Sequence, residues 1–433
     1  MTTKNPLEIP EILAQIGKHI PMWTPTAFED YSFHPRDMFS CVLVSRNFRK
    51  TLLPILWYTF DERSMSTVPV DIIRKYTPYF RVHYNYGYRQ QNYPTNNRES
   101  CTGLIELTIA WEYGFLDWNY TEYIKKNPGL RLLEGKFNAV HTDVFSNLRQ
   151  LNHLRIHLED KDQESHRQLL QPISNTLESL RISSDVGPLG LRGLVFPNLK
   201  ELEPNLPHAQ DLQDLLQGCP HLEAIIDDSS PMRCTHLIDC LKAEVCPALK
   251  SLRSNVYYDL VEDFAEVFES RSGLQDLQLH LVTSNARFVN AINHHASSLT
   301  RLSIQQMETG SIRVVPFVLK IIGICGRLKD VSVGGLNKAI DSLISKDNWR
   351  NVDALESLTL QGRTMSLHGN DIRMSKRVVT RSNLSELPIN DWKRSPGTRT
   401  GLNTMYLISL FQIVQGFSSL RTVTVNTEVF KRV

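Results

Sequence analysis

Apolar residues along most of this chain recur in one phrase, Leu-x-x-Leu-x-Leu. Its last two members stand two apart and so share one face of an extended strand, while the first begins the turn into it. The phrase is read at Leu104-Leu107-Ile109, Leu130-Leu133, Leu151-Leu154-Ile156, Leu177-Leu180-Ile182, Leu199-Leu202, Leu222-Ile225, Leu249-Leu252, Leu274-Leu277-Leu279, Leu299-Leu302-Ile304, Leu328-Val331-Val333, Leu355-Leu358-Leu360 and Leu420-Val423-Val425. The ten steps from Leu104 to Leu355 cover 251 residues, a mean period of about 25. Between phrases the apolar residues fall three and four apart, as at Leu212-Leu215-Leu216, Leu237-Ile238-Leu241, Val261-Phe264-Val267-Phe268, Phe288-Val289-Ile292 and Leu407-Leu410-Phe411-Val414, which predicts helices. Asn127-Pro128, Pro197-Asn198, Cys219-Pro220, Cys246-Pro247 and Cys325-Gly326 end these segments before the next strand. A strand joined to the next by a helical crossover runs parallel to it. The predicted class is therefore α/β: a solenoid of about twelve strand–helix repeats over residues 104–433, with parallel strands concave and helices convex. One repeat buries some six apolar side chains at about 1.5–3 kcal/mol each. Ordering its backbone costs about 1–2 kcal/mol per residue, so the repeats fold only as an array.

The first sixty residues follow another pattern. Ile9, Ile12, Leu13, Ile16 and Ile20 form one apolar helical face, with Pro10 and Glu11 in its first turn. A turn-rich passage over 21–35 follows. A second helix is predicted from Asp37 through Met38, Val42, Leu43 and Phe48 to Lys50, with Leu52 to Trp57 closing the unit. Residues 61–103 carry no clear phrase and read as an irregular first repeat or cap. A strand is expected near Phe80 to Tyr84, then a polar loop over 90–100. A basic stretch at about 361–400, with Arg373, Lys376, Arg377, Arg381, Lys393, Arg394 and Arg399, breaks the period and reads as a loop inserted between two repeats.

Composition removes several function classes. Lys and Arg number 48 against 46 Asp and Glu, a net charge of +2, which gives no reason to expect nucleic acid or a membrane surface as partner. The seven cysteines are odd in number and contain no Cys-x-x-Cys, so they read as reduced thiols of an intracellular protein, cytoplasmic or nuclear. Cys219, Cys246 and Cys325 sit beside the breakers, as packing residues would. The N-terminus lacks the basic and then apolar order of a secretion signal, and the apolar windows at 314–325 and 405–414 are shorter than the roughly 20 residues that span a bilayer. No phosphate-binding Gly loop, zinc-protease or nucleophile-elbow motif occurs. His153 and His157 stand four apart on a predicted strand, too far to share a metal, and His294-His295 belongs to a helix end. No catalytic residue, cofactor or metal is expected.

Ile9-Pro10-Glu11-Ile12-Leu13-x-x-Ile16, followed by Leu43-Val44-Ser45-Arg46-Asn47-Phe48-Arg49 and Leu53-Pro54-Ile55-Leu56-Trp57, resembles a fungal-type F-box over residues 5–60. An F-box ahead of leucine-rich repeats is a known family layout. Here Pro10 directly precedes the Glu, Phe48 stands where Trp is common, and residues 21–36 make a longer connection. The resemblance implies a non-catalytic substrate-recognition subunit of a Skp-cullin-F-box ubiquitin ligase. Pro10, Ile12, Leu13, Ile16, Val44 and Phe48 would bind a Skp-type adaptor and, through it, a cullin. The alternative is a repeat scaffold whose N-terminal helices only cap the array.

The repeats would hold the protein to be ubiquitinated. Residues just before and after the second Leu of each phrase point away from the core. Glu106, Arg155, Arg181, Glu201, Glu203, Arg253, Asp276, Gln278, Arg301 and Asp330 are thus expected to line the concave face and bind the target. Their mixed signs suit a protein rather than a polyanion.

Overall fold

The structure, a computed structural model, describes residues 9–25, 31–61, 68, 70–84, 102–111, 118–137, 142–158, 162–185, 187–227, 230–281, 285–306, 318, 320–336, 354–362, 392–394, 419–425 and 428–432. The expected helix over 407–414, the polar loop over 90–100 and most of the basic stretch lie outside them. The chain divides into two compact units, Met1–Cys219 and Pro220–Val433.

The first unit opens with helices. Helix α1, Pro10–Lys18, starts with proline at a position whose N–H has no helical partner in any case. The single helix expected over 37–50 is instead two, α2 (Arg36–Val44) and α3 (Arg46–Leu56). Ser45 separates them: its backbone is extended and its Oγ accepts from Phe48 N at 3.2 Å, a side-chain cap that gives α3 its own start. Helix α3 runs on through Pro54, so the segment expected to close the unit is helical. In the turn-rich passage, β1 (Trp23–Pro25) and β2 (Tyr31–Phe33) form an antiparallel ribbon. Leu13, Met38, Val42, Leu52, Leu56 and Trp57 make the core of this helical part. Gly17 permits the close approach of α1 to α3, since a Cβ there would lie 2.5 Å from Leu52 Cδ2.

Seven parallel strands follow: β3 (Thr59–Asp61), β4 (Tyr79–Tyr84), β5 (Glu106–Trp111), β6 (Leu132–Phe137), β7 (His153–Leu158), β8 (Ser179–Ser184) and β9 (Glu201–Asn205). Phe60, Phe80, Leu107, Leu133, Leu154, Leu180 and Leu202 stand in register across them, so phenylalanines hold the leucine position in two strands ahead of the first phrase. Phe60 and the five leucines are buried. A helical crossover was expected between every pair of strands, but the connection from Asp185 to Lys200 contains no helix among its described residues. Gly187, Pro188, Gly190, Gly193 and Pro197 oppose helix there. Leu189, Leu191, Leu194 and Phe196 are nonetheless buried and fill the layer that helices fill elsewhere.

In the second unit β10 (Ala224–Asp227), β11 (Ser251–Val256), β12 (Asp276–Leu281), β13 (Arg301–Gln306), β14 (Asp330–Leu336) and β15 (Ser357–Gly362) run parallel. Three further strands, β16 (Trp392–Arg394), β17 (Thr422–Val425) and β18 (Glu428–Arg432), complete its sheet. β17 lies parallel beside β15 although most of the basic stretch falls between them in sequence. Ile225, Leu252, Leu277, Leu302, Val331, Leu358 and Val423 form one buried, in-register row. All the repeat strands were expected to be parallel, and the last ones are not: β18 pairs antiparallel with β17, and β16 antiparallel with β18. Only two residues separate β17 from β18, and a link that short admits only a hairpin.

The repeat is also written in the backbone. Within each unit the residue after the first Leu of a phrase donates its N–H to the carbonyl of its counterpart one repeat earlier: Arg131 to Ile105 at 2.7 Å, Asn152 to Arg131 at 3.0 Å, Gln275 to Lys250 at 2.7 Å, Thr300 to Gln275 at 2.8 Å. Arg421 donates to Glu356 at 2.9 Å, so this ladder passes over the insertion unbroken. Helices Pro231–Lys242, Val261–Ser270 and Ala286–Asn293 cover the sheet of the second unit. The Arg271 guanidinium caps the first of these, donating to Leu241 O at 2.8 Å and Cys246 O at 2.7 Å.

Candidate interaction surfaces

The six residues expected to contact an adaptor divide by burial. Leu13 belongs to the core and is not available on the surface; this corrects its assignment, since the Leu13–Gly17 stripe of α1 is the one packed on α3. Phe48 is half-buried against the same core. Pro10 is exposed. Ile12 and Ile16, one helical turn apart, are 40% and 43% exposed, and Leu43 and Val44 at the end of α2 are 70% and 66% exposed. Branched apolar side chains left this open gain by being covered.

The residues expected to contact a target alternate with the buried rows along each strand, five on the first unit and five on the second, and most are tied to one another. Arg155 Nη1 lies 3.4 Å from Glu134 Oε2, and Arg181 Nε 3.2 Å from Glu203 Oε1. Ser179 Oγ donates to Glu201 at 3.0 Å. In the second unit Arg301 stands between Asp276, at 3.0 Å, and Asp330, at 3.7 Å. Gln278 Nε2 donates weakly to Asp276 at 3.4 Å, and Arg253 is half-buried beside Gln278 in register. Burial raises the Glu106 carboxyl above the usual carboxylate range. Exposed pairs of this kind stabilise by about 0–1 kcal/mol each. Aligning the phrases would have foretold them, because opposite charges occupy equivalent positions of successive repeats.

One constellation is absent from any linear motif. Register brings Ser183 beside His157, with Ser183 Oγ 3.0 Å from His157 Nδ1, and Asp185 Oδ2 lies 3.7 Å from His157 Nε2. Here Ser183 and His157 are buried and Asp185 is exposed. A hydrolytic triad needs the reverse, a buried carboxylate and a hydroxyl open to substrate. The arrangement ties β7 to β8. Cys219, Cys246 and Cys325 are fully buried, and burial pushes the latter two thiols up to about 11. Cys234 is pushed up to about 12 by burial first and then by Asp227. Such thiols stay protonated and unreactive. Among the described residues no cluster is arranged to hold a metal ion, and no helix is long and apolar enough to cross a membrane.

His295, at the helix end, is fully buried and its Nε2 lies 3.1 Å from Phe268 O, so this nitrogen carries the proton. Burial lowers its pKa, outweighing that hydrogen bond. The folded chain keeps the ring neutral at pH values where the unfolded chain, titrating at about 6.5, takes up a proton. Stability is thus full above the unfolded value and is lost as pH falls below it. Urea unfolding should show a lower midpoint at about pH 5.5 than at about pH 7.5, and His295→Gln should shrink the difference; an undiminished difference would count against the assignment.

No model of a known protein family matches the chain, and no curated protein matches it.

Proposed function

We propose that the chain is the substrate-recognition subunit of a Skp-cullin-F-box ubiquitin ligase, its N-terminal helices an F-box-like unit and its strand–helix repeats a leucine-rich-repeat array. The observation that carries this reading is the helical part of the first unit. It closes its own core around Leu13, Met38 and Leu52, yet leaves Ile12, Ile16, Leu43 and Val44 open. A cap serving only stability would turn these side chains inward. A Skp-type adaptor would cover them, and the in-register sheet faces would hold the target; the subunit itself carries out no chemistry. The cytoplasm and the nucleus both suit this role.

Ile12→Glu combined with Val44→Glu in the full-length chain should weaken capture of a Skp-type adaptor by at least about tenfold, which requires only about 1.4 kcal/mol. Thermal unfolding should change little, because neither side chain lies in the core. Adaptor affinity by calorimetry and melting by circular dichroism test this together. Undiminished capture by the variant, or none by the intact chain, would favour a repeat scaffold with no ligase connection.

A further inference from the structure

The outward face of the first unit carries a charge row that differs in kind from that of the second. Glu134, Arg155, Arg181 and Glu203 stand side by side on β6, β7, β8 and β9 in direct register. The order of signs is minus, plus, plus, minus. Each arginine leans to the glutamate on its outer side, and the two arginines are direct neighbours. Like charges directly opposite across a strand pair are unfavourable. In the second unit Arg301 is flanked by an aspartate on both sides, so its charge is met from either direction.

Depth adds to the contrast. The Arg155 and Arg181 side chains are 53% and 49% exposed, while Glu134 and Glu203 are 22% and 25% exposed. The acids lie low on the sheet and the guanidinium groups ride above them, so the centre of the face presents positive charge to solvent. His153 and Ser179 flank the arginines on one side and His157 and Ser183 on the other; Glu201 and Asp185 sit at the rim, and Glu106 lies in the row of His153, two strands away from it.

We propose that Arg155 and Arg181 together receive a carboxylate-bearing segment of a protein partner, one acidic side chain bridging the two neighbouring guanidinium groups. The planar fork of each guanidinium matches carboxylate geometry, and an anion between them relieves the repulsion of the neighbours. The proposal rests on reading this face as the target surface.

Fluorescence anisotropy of a labelled hexaglutamate peptide with the full-length chain is the test. Binding should saturate and should weaken as salt rises from about 50 to 300 mM. Arg155→Gln with Arg181→Gln should weaken it at least about tenfold, and Arg287→Gln, on a helix and paired there with Glu262 and Glu269, should leave it unchanged. Glu134→Gln with Glu203→Gln should tighten it by releasing the arginines, a gain that a purely structural role for these pairs does not produce. The site is overturned by an absence of saturable binding, by an equal loss in Arg287→Gln, by an unaffected arginine double variant, or by binding of a hexaphosphoserine peptide alone. Adaptor capture by the same preparation separates the two readings. Capture without hexaglutamate binding removes this site alone, and hexaglutamate binding without capture removes the ligase reading alone.

Discussion

Phe268→Ala is expected to lower the stability of the second unit by about 3–5 kcal/mol, the range for removing a buried phenylalanine ring. Phe268 is fully buried on the helix Val261–Ser270. Its ring centre lies 6.0 Å from that of Phe264 and 5.6 Å from that of Phe288, on the neighbouring helix, with His295 edge-on at 6.1 Å. Its carbonyl also accepts from the buried His295 ring, so backbone and side chain of one residue both join this helix to the next repeat. The strands below are fixed by in-register pairing, so the layer cannot collapse into the space left, and the cavity adds to the lost transfer energy. Urea unfolding followed by circular dichroism measures the change; a loss below about 1 kcal/mol would mean that these helices do not share a packed layer.

The parallel rows were legible because each leucine phrase carries both a period and a face. Leu277 and Leu279, or Leu302 and Ile304, leave one choice of which side is buried, and repetition fixes the register. Reading failed where one local choice overrides a pattern. Ser45 sits among residues at helical spacing, yet its hydroxyl competes for a backbone N–H and starts a new helix. The connection from Asp185 to Lys200 keeps the leucines of a helix without helical backbone, because its glycines and prolines exclude one. The strand at Thr59–Asp61 has phenylalanine in place of leucine and no phrase to announce it.

The candidate surfaces were legible in part, for a reason that α1 makes plain. Ile12 and Leu13 are both apolar members of one helical face, and periodicity cannot say which of two adjacent stripes a neighbour will cover. Gly17 was the available signal: a glycine one turn beyond Leu13 marks where another helix approaches closely, and α3 lies there. On the strands, periodicity correctly predicts which residues turn away from the core. Aligning successive phrases also sets acids beside Arg155, Arg181 and Arg301, but it does not give the depth at which those acids lie on the sheet.

Asp211→Ala should cost the first unit about 2–5 kcal/mol, since it strips two backbone donors, one on a buried and one on a half-buried residue, of their acceptor at about 1–3 kcal/mol each. The helixless connection supplies few backbone partners of its own, and Asp211, buried in the first turn of the helix Ala209–Gln217, reaches across to it. Leu189 N donates to its two carboxylate oxygens at 3.0 and 2.9 Å, and Gly190 N donates as well. Gly190 has φ +67°, and a Cβ there would lie 2.7 Å from Gln163 Cβ, so the loop has little freedom to find another arrangement. Burial raises the pKa of Asp211 despite these hydrogen bonds, so the carboxylate is held at some cost to itself. Removing it therefore returns part of that cost, which keeps the expected loss below the sum for two orphaned donors and a charge. Asp211→Asn retains one acceptor oxygen without the charge and should lie between the parent and the alanine variant. Hydrogen exchange at Leu189 and Gly190 should accelerate in the order parent, asparagine, alanine, alongside the urea midpoints. If asparagine proves more stable than the parent and the amides stay protected in the alanine variant, the carboxylate is not what holds the connection against the core.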